Sequence, residues 1–178
     1  FVANMTYGMT IVRAVRQATE LPLDVHLMIS DPGRHVEAFA EAGADMLTIH
    51  AEAVDDPTPV LEQIRSLGVG AGLALNPPTG LESVAGALSS CDLVLAMSVM
   101  PGYGGQEFDP LALEKLSTLK EQVGQRVLLE VDGGVNTQTA GPCGAAGARL
   151  LVVGSAIFRR HDATYQQSLS ELTRLAAG

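Results

Sequence analysis

The chain has few of the features that mark secreted, membrane or nucleic-acid-binding proteins. Its 178 residues include two cysteines, Cys91 and Cys143, which form neither a metal-binding spacing nor a disulfide framework. Its 11 basic residues form no cluster and are outnumbered by 20 acidic ones, which gives a net charge of −9. No apolar run reaches the roughly 18 residues of a membrane span. We therefore expect a cytoplasmic protein with no nucleic-acid or membrane partner.

Short apolar runs recur along the chain at nearly constant spacing. Six of them begin 23 or 24 residues apart, with one gap of 34, and a helix-like pattern lies between each pair. Alternating strands and helices predict a parallel sheet covered on both faces. The short, regular period favours an α/β fold of the (β/α)8 TIM-barrel type, with about six of the eight units present, as a single domain over residues 1–178. The predicted strands are 23–29, 46–51, 70–75, 93–99, 127–131 and 150–153.

The helices are predicted from apolar stripes and from their glycine and proline boundaries. One helix begins after Pro32 and ends at Gly43. The others are predicted at 8–19, 58–67, near 80–88 as a short helix, and at 110–123, 137–146 and 162–176.

Several predicted strands end in residues that can carry chemistry, and such barrels have their active sites at those ends. Asp132 directly follows the fifth predicted strand and is itself followed by Gly133 and Gly134. A carboxylate there can ligate a metal or transfer a proton, and the glycines let an anion approach backbone N–H groups. A turn-forming Asp-Gly pair is the alternative interpretation.

Histidine and methionine side chains line the first predicted strand. Strand alternation places Asp24, His26 and Met28 on one face. If that face points into the barrel, His26 is a candidate metal ligand and Met28 lines the pocket. A hydrogen-bonded core histidine is the alternative, and His50 has the same two interpretations. His35 and His161 are predicted to lie at the surface.

Two glycine-containing loops are candidates for phosphate binding. The loop after the fourth strand contains Gly102, Tyr103, Gly104 and Gly105, and Met97 lies just before it. Gly154 and Ser155 follow the sixth strand, and phosphate often binds after the last two strands of such barrels. A flexible loop and a tight turn with a helix cap are the respective alternatives.

In chain order, these segments resemble the ribulose-phosphate 3-epimerase family. The matching stretches are 1–8, 23–28, 48–52, 72–79, 97–108, 131–136 and 153–158. The resemblance implies a (β/α)8 barrel that interconverts D-ribulose 5-phosphate and D-xylulose 5-phosphate by inverting C3. It also implies a phosphorylated ketose as the partner and one divalent metal ion (Zn, Fe(II), Mn or Co). Barrels of this family often assemble, so a homo-oligomer is a further expectation.

The resemblance also implies roles for individual residues. Asp132 would be an acid/base group and a metal ligand, and His26 a second metal ligand. The substrate and phosphate contacts would be His26, Met28, Met97, Gly102, Tyr103, Gly104, Gly105, Asp132, Gly133, Gly134, Gly154 and Ser155.

The resemblance further implies that two strands precede the segment beginning at Phe1. In the family these strands supply a second acid/base Asp, another His ligand and a Ser near the substrate. We therefore expect additional sequence before Phe1. We also expect these 178 residues on their own to be poorly soluble or oligomeric, to bind divalent metal weakly and to lack epimerase activity.

Three alternatives stay open beside ribulose 5-phosphate epimerisation. The substrate could be another ketose phosphate, such as allulose 6-phosphate. Related barrels, the hexulose-phosphate synthases and decarboxylases, carry an Asp-x-Lys-x-x-Asp cluster, and its absence from this sequence counts against them. The third alternative is an inactive truncated homologue that only binds phosphate.

Overall fold

A computed structural model of the chain describes residues 8–102 and 106–178. In that part of the chain six strands form one sheet in chain order, and the strand pairs with a defined register are parallel. The predicted α/β class and the six β/α units are confirmed. The strands are β1 (Asp24–Leu27), β2 (Met46–His50), β3 (Gly70–Leu75), β4 (Leu93–Met97), β5 (Leu128–Asp132) and β6 (Leu150–Val152).

Of the seven α-helices described, six overlap the predicted stretches, and the short one at Ser155–Phe158 was not predicted. They are α1 (Met9–Ala18), α2 (Val36–Glu41), α3 (Thr58–Ser66), α4 (Leu111–Val123), α5 (Ala140–Ala146), α6 (Ser155–Phe158) and α7 (Tyr165–Ala177). The last of these begins with a capping box, in which the Thr164 hydroxyl accepts from the Gln167 N–H and the Gln167 side chain accepts from the Thr164 N–H. None of the helices described is long and apolar enough to cross a membrane.

The predicted helix near 80–88 is wrong. Two short 3₁₀ segments, Leu81–Ser83 and Ala87–Ser90, occupy this region instead. Gly80 and Gly86 each stand directly before one of these segments. Glycine has a high entropic cost in a helix, and serine hydroxyls compete for backbone groups, so a continuous α-helix is disfavoured here.

The chain divides into two compact units, the first unit and the second unit. In the part described, the first unit comprises residues 8–75 and 80–94, and the second comprises residues 76–79, 95–102 and 106–178. The prediction of a single domain stays a prediction.

The first unit has an apolar layer between strands and helices. On the strands, the fully buried side chains include Leu47, Ile49 and Leu73. On the helices they include Phe39 of α2 and Leu61 and Ile64 of α3. Helix α2 packs against β2, and α3 packs against β3. This layer fixes one face of the strands, so their alternate side chains are directed to the opposite face.

Helix packing and a lysine–carbonyl contact hold parts of the second unit together. Helices α5 and α7 pack together, and a side chain at Gly144 would collide with the Ala176 carbonyl oxygen. A small core of Ala140, Ile157 and Leu172 lies nearby. In addition, the Lys115 ammonium of α4 donates to the carbonyl oxygens of Asn76, Pro77 and Thr79 at 2.6, 2.8 and 2.6 Å. These contacts attach the 76–79 loop to α4.

Candidate functional site

Polar side chains of the first unit lie on the strand face opposite the apolar layer. In the parallel register His26 pairs with Thr48 and Asp24 pairs with Met46. Paired residues of neighbouring strands share a face, and so do residues two apart on one strand. Asp24, His26, Thr48 and His50 therefore lie on one face. The Thr48 hydroxyl donates to Asp24 Oδ1 at 3.4 Å, and Gly72 on β3 leaves the space that the Thr48 side chain occupies.

The two histidines of this face form a direct hydrogen bond. His26 Nε2 and His50 Nε2 are 2.7 Å apart. The ring centroids are 4.8 Å apart and the planes meet at 22°, so the facing nitrogens are much closer than the ring centres. The rings therefore meet edge to edge. His50 is fully buried, and its Nδ1 lies 3.2 Å from Glu52 Oε2.

The surroundings of His26 keep its ring neutral. Burial and the neighbouring His50 lower the pKa of His26 to about 3. At neutral pH the imidazole is therefore unprotonated at one ring nitrogen, which is the form that ligates metals. The role of His26 as a metal ligand stays a prediction.

In the second unit, the ends of β4 and β5 are joined by hydrogen bonds. The Ser98 N–H donates to the Asp132 carbonyl oxygen at 2.8 Å, and the Ser98 hydroxyl donates to the Gly133 carbonyl oxygen. Asp132 is the last residue of β5, one position later than the predicted strand end. The structure therefore brings Ser98 and Asp132 together at the carboxyl ends of their strands.

The two glycines after Asp132 have conformations and surroundings that exclude other residues. Gly133 and Gly134 have φ angles of +110° and +58°. A Cβ on Gly134 would lie 2.7 Å from the Phe108 backbone nitrogen. The Gly134 carbonyl oxygen accepts from Asn136 Nδ2 at 3.0 Å and from the Thr139 hydroxyl at 3.3 Å. This loop is consequently fixed by its own polar residues.

A shallow pocket lies beside the loops that follow β5 and β6. These strands pair in parallel, with Asp132 opposite Val152, so both loops leave the same edge of the sheet. The pocket is lined by Asn136, Thr137, Ser155, Ala156, Arg159 and Arg160. Hydrogen bonds to Asp162 and Glu171 raise the pKa of Arg160 and hold its guanidinium. The pocket therefore combines polar side chains with Arg159 and with Arg160, whose guanidinium is already paired with two carboxylates.

The remaining predicted site residues are placed as follows. Met97 is the buried last residue of β4, whereas Met28 lies just after β1 and is half-buried. Gly102 has a φ of +143°, and Gly154 directly precedes α6. Tyr103, Gly104 and Gly105 lie outside the described residues, as do residues 1–7.

Sequence reasoning missed the partnership of His50 and Glu52 with His26, and it missed the polar loop at Asn136. The available signal was the same as for His26, since His50 and Glu52 also lie at a strand end. Among the described residues, no three His, Cys, Asp or Glu side chains gather as a metal cluster. His26 belongs to the first unit and Asp132 to the second.

The parallel sheet and its strand-end residues define an α/β protein of the TIM-barrel type. Solved structures agree on the fold. A 3-keto-L-gulonate-6-phosphate decarboxylase from Vibrio cholerae has a TM-score of 0.73 at 14% identity, over 94% of this chain and 78% of that one. A 3-hexulose-6-phosphate synthase from Salmonella typhimurium has a TM-score of 0.70 at 16% identity, over 94% and 79% of the two chains.

Within that class, the chain belongs to the ribulose-phosphate 3-epimerase family, whose model matches residues 1–158. A ribulose-phosphate 3-epimerase of Bacillus subtilis is 46% identical over 176 residues, which is 97% of this chain and 80% of the relative. The Synechocystis enzyme of the same name is 46% identical over 163 residues, covering 89% and 71% of the two chains. The chain is therefore an isomerase of the epimerase type.

Proposed function

We propose that this protein is a metal-dependent epimerase that interconverts D-ribulose 5-phosphate and D-xylulose 5-phosphate. The observation that carries the proposal is Asp132, a carboxylate at the carboxyl end of β5 that is followed by two positive-φ glycines. The substrate names of the curated relatives support the choice of ketose. The reaction removes the proton at C3, which lies next to the ketone, and returns a proton to the opposite face.

Asp132 is the proposed proton-transfer group on one face of C3. A carboxylate accepts the C3 proton, and the electron pair moves into the neighbouring carbonyl to give an ene-diolate. Inversion requires an acid/base group on each face, because a single group would return the proton to the face from which it came. The Ser98–Asp132 and Ser98–Gly133 hydrogen bonds hold the backbone of the aspartate in place for this transfer.

His26 and Asp132 are the proposed ligands of a divalent metal ion. Nitrogen and oxygen donors of this kind suit Zn, Fe(II), Mn and Co. The contacts of His26 are compatible with this role, since metal-bound histidines characteristically use their other ring nitrogen in a hydrogen bond, and His26 Nε2 bonds to His50 Nε2. When bound, the ion would supply Lewis-acid stabilisation of the ene-diolate oxygens.

The phosphate of the substrate is proposed to bind in the second unit. Gly133, Gly134, Gly154 and Ser155 follow β5 and β6, and the pocket beside them carries Asn136 and Arg159. Backbone N–H groups freed by positive-φ glycines bind anions without a basic cluster, which is consistent with the net charge of −9.

The test is exchange of the C3 hydrogen with solvent deuterium in the full-length protein. We expect exchange and epimerisation of D-ribulose 5-phosphate, with kcat/KM at least about tenfold above that for allulose 6-phosphate, which is one carbon unit longer. Unphosphorylated ribulose serves as the control, and we expect it to react poorly, because it lacks the phosphate that positions C3. A higher kcat/KM for allulose 6-phosphate would show that allulose 6-phosphate is the preferred substrate. Phosphate binding without hydrogen exchange would contradict an epimerase activity.

A further inference from the structure

The strongest unexplained feature of the first unit is a chain of three polar side chains, Glu52, His50 and His26. The contacts run from Glu52 Oε2 to His50 Nδ1 at 3.2 Å, and from His50 Nε2 to His26 Nε2 at 2.7 Å. His50 in the middle is fully buried. A ring nitrogen of histidine is either a donor or an acceptor, never both at once. The two hydrogen bonds therefore restrict which ring nitrogens carry protons.

The carboxylate at one end determines the direction of the chain. An ionised carboxylate only accepts hydrogen bonds, so His50 must carry its proton on Nδ1. A neutral His50 then has no proton on Nε2, which becomes the acceptor. In that state the hydrogen between the two rings belongs to His26 Nε2. The reverse order would place the unprotonated Nδ1 of His50 against the Glu52 carboxylate, and the two acceptors would repel each other.

We infer that Glu52 and His50 are positioning residues that hold His26 in the Nε2-protonated form and so make its Nδ1 the nitrogen that ligates a divalent cation. The inference about the metal rests on the proposed function, whereas the inference about the protons does not. Outer partners of this type fix both the tautomer and the orientation of a ligating imidazole. The β1–β2 register supplies the geometry, because it places His26 beside Thr48 and His50 two residues further along the same face.

The first experiment measures the tautomers directly in the metal-free, full-length protein. Long-range ¹H–¹⁵N spectra of histidine-labelled protein distinguish protonated from unprotonated ring nitrogens. The sequence contains four histidines, so substitutions at His35 and His161 assist the assignment. We expect His26 to be protonated on Nε2 and His50 on Nδ1. Protonation of His26 on Nδ1 would overturn the inference, and this measurement needs no variant at the cluster itself.

A matched pair of substitutions tests the role of the carboxylate. Glu52→Gln keeps an acceptor oxygen of the same reach, whereas Glu52→Met keeps the length and removes the acceptor. We expect the glutamine variant to retain both tautomers and the methionine variant to show a mixture at both histidines. Glu41→Met, at an exposed position of α2, is the control. Unchanged tautomers in Glu52→Met would contradict a positioning role for Glu52.

Titration with Zn²⁺ separates this inference from the proposed function. We expect Zn²⁺ to shift the Nδ1 resonance of His26 and Glu52→Met to weaken Zn²⁺ binding by about 10–100-fold, with Glu52→Gln closer to wild type. A shift of the His26 Nε2 resonance would mean that metal binding breaks the histidine pair, which overturns the inference. If the expected tautomers are found but His26 does not respond to Zn²⁺, the inferred proton positions are supported and the proposed metal site is contradicted.

Discussion

The polar groups at the strand ends differ between the two units. In the first unit the polar groups are side chains that bond to one another, as His26, His50 and Glu52 do. In the second unit most of the bonds involve backbone groups, such as the Gly133 and Gly134 carbonyl oxygens. A side-chain cluster is sensitive to the removal of one polar group, whereas a backbone site is sensitive to any side chain added at a glycine. Asp132 is the exception in the second unit, since its proposed function depends on its own carboxylate.

The largest effect is expected for Asp132→Asn. The amide keeps the shape of the carboxylate but cannot accept the C3 proton, and it weakens the proposed metal site as well. General acid–base catalysis alone contributes about 10²–10⁴-fold, so kcat should fall by at least about three powers of ten. Glu114→Gln, at an exposed position of α4, is the control and should leave kcat unchanged. Near-normal turnover in Asp132→Asn would show that Asp132 only forms the turn and does not transfer the proton.

His26→Ala tests the side-chain cluster of the first unit. Loss of a ligand should exceed the roughly 10–100-fold loss in metal affinity that removing an outer partner causes. Equilibrium dialysis against Zn²⁺ measures the change, and added metal should partly restore the rate. His161→Ala, at an exposed position, should bind metal as the wild type does. If His26→Ala retains stoichiometric tight metal, the ligand is another residue.

Gly134→Val tests the backbone site of the second unit. The new side chain would meet the Phe108 backbone at 2.7 Å or less in addition to the strain of a φ of +58°. We expect a higher KM for the phosphorylated sugar and a loss of about 2–4 kcal/mol in the free energy of unfolding.

Gly124→Val is the matched control, because Gly124 has a φ of +60° but nothing within 4 Å of its Cβ position. It should lose stability through backbone strain and keep a normal KM. Equal KM values in the two variants would place the phosphate elsewhere.

The smallest effect is the dependence of stability on pH that His26 contributes. The pKa of His26 is lowered to about 3 in the folded protein, so below pH 6.5 the unfolded chain binds the proton more strongly. This contribution is complete above pH 6.5 and is lost as the pH falls towards 3. Between pH 6.5 and 5 we expect metal-free protein to lose about 1–2 kcal/mol at this site.

Denaturant unfolding of wild type and His26→Asn over this pH range isolates that contribution. The variant should show a flatter profile, whereas His161→Ala should follow the wild type. Parallel profiles for wild type and His26→Asn would show that His26 titrates alike in both states.

The periodic part of the fold was predictable because each unit repeats the same local pattern. The strand 70–75 was predicted to the residue, since its apolar run is bounded by turn signals on both sides. The region 80–88 was not, because an apolar stripe carried by glycines and serines does not compensate for their helix cost. Position in the sequence was sufficient to place Asp132 at the carboxyl end of β5, and its role in the site stays a prediction. The bond between His26 and His50 depends on the register of two strands, which the local pattern does not contain.

The contact of Lys115 with the 76–79 loop has a consequence for which cation this position accepts. The three carbonyl oxygens of Asn76, Pro77 and Thr79 surround a single ammonium, and the two prolines of the loop, Pro77 and Pro78, contribute no N–H of their own. An ammonium distributes its three donors in a tripod, whereas a guanidinium directs its donors within one plane. The loop therefore discriminates by shape between two side chains of equal charge, and arginine is not a conservative replacement at this position.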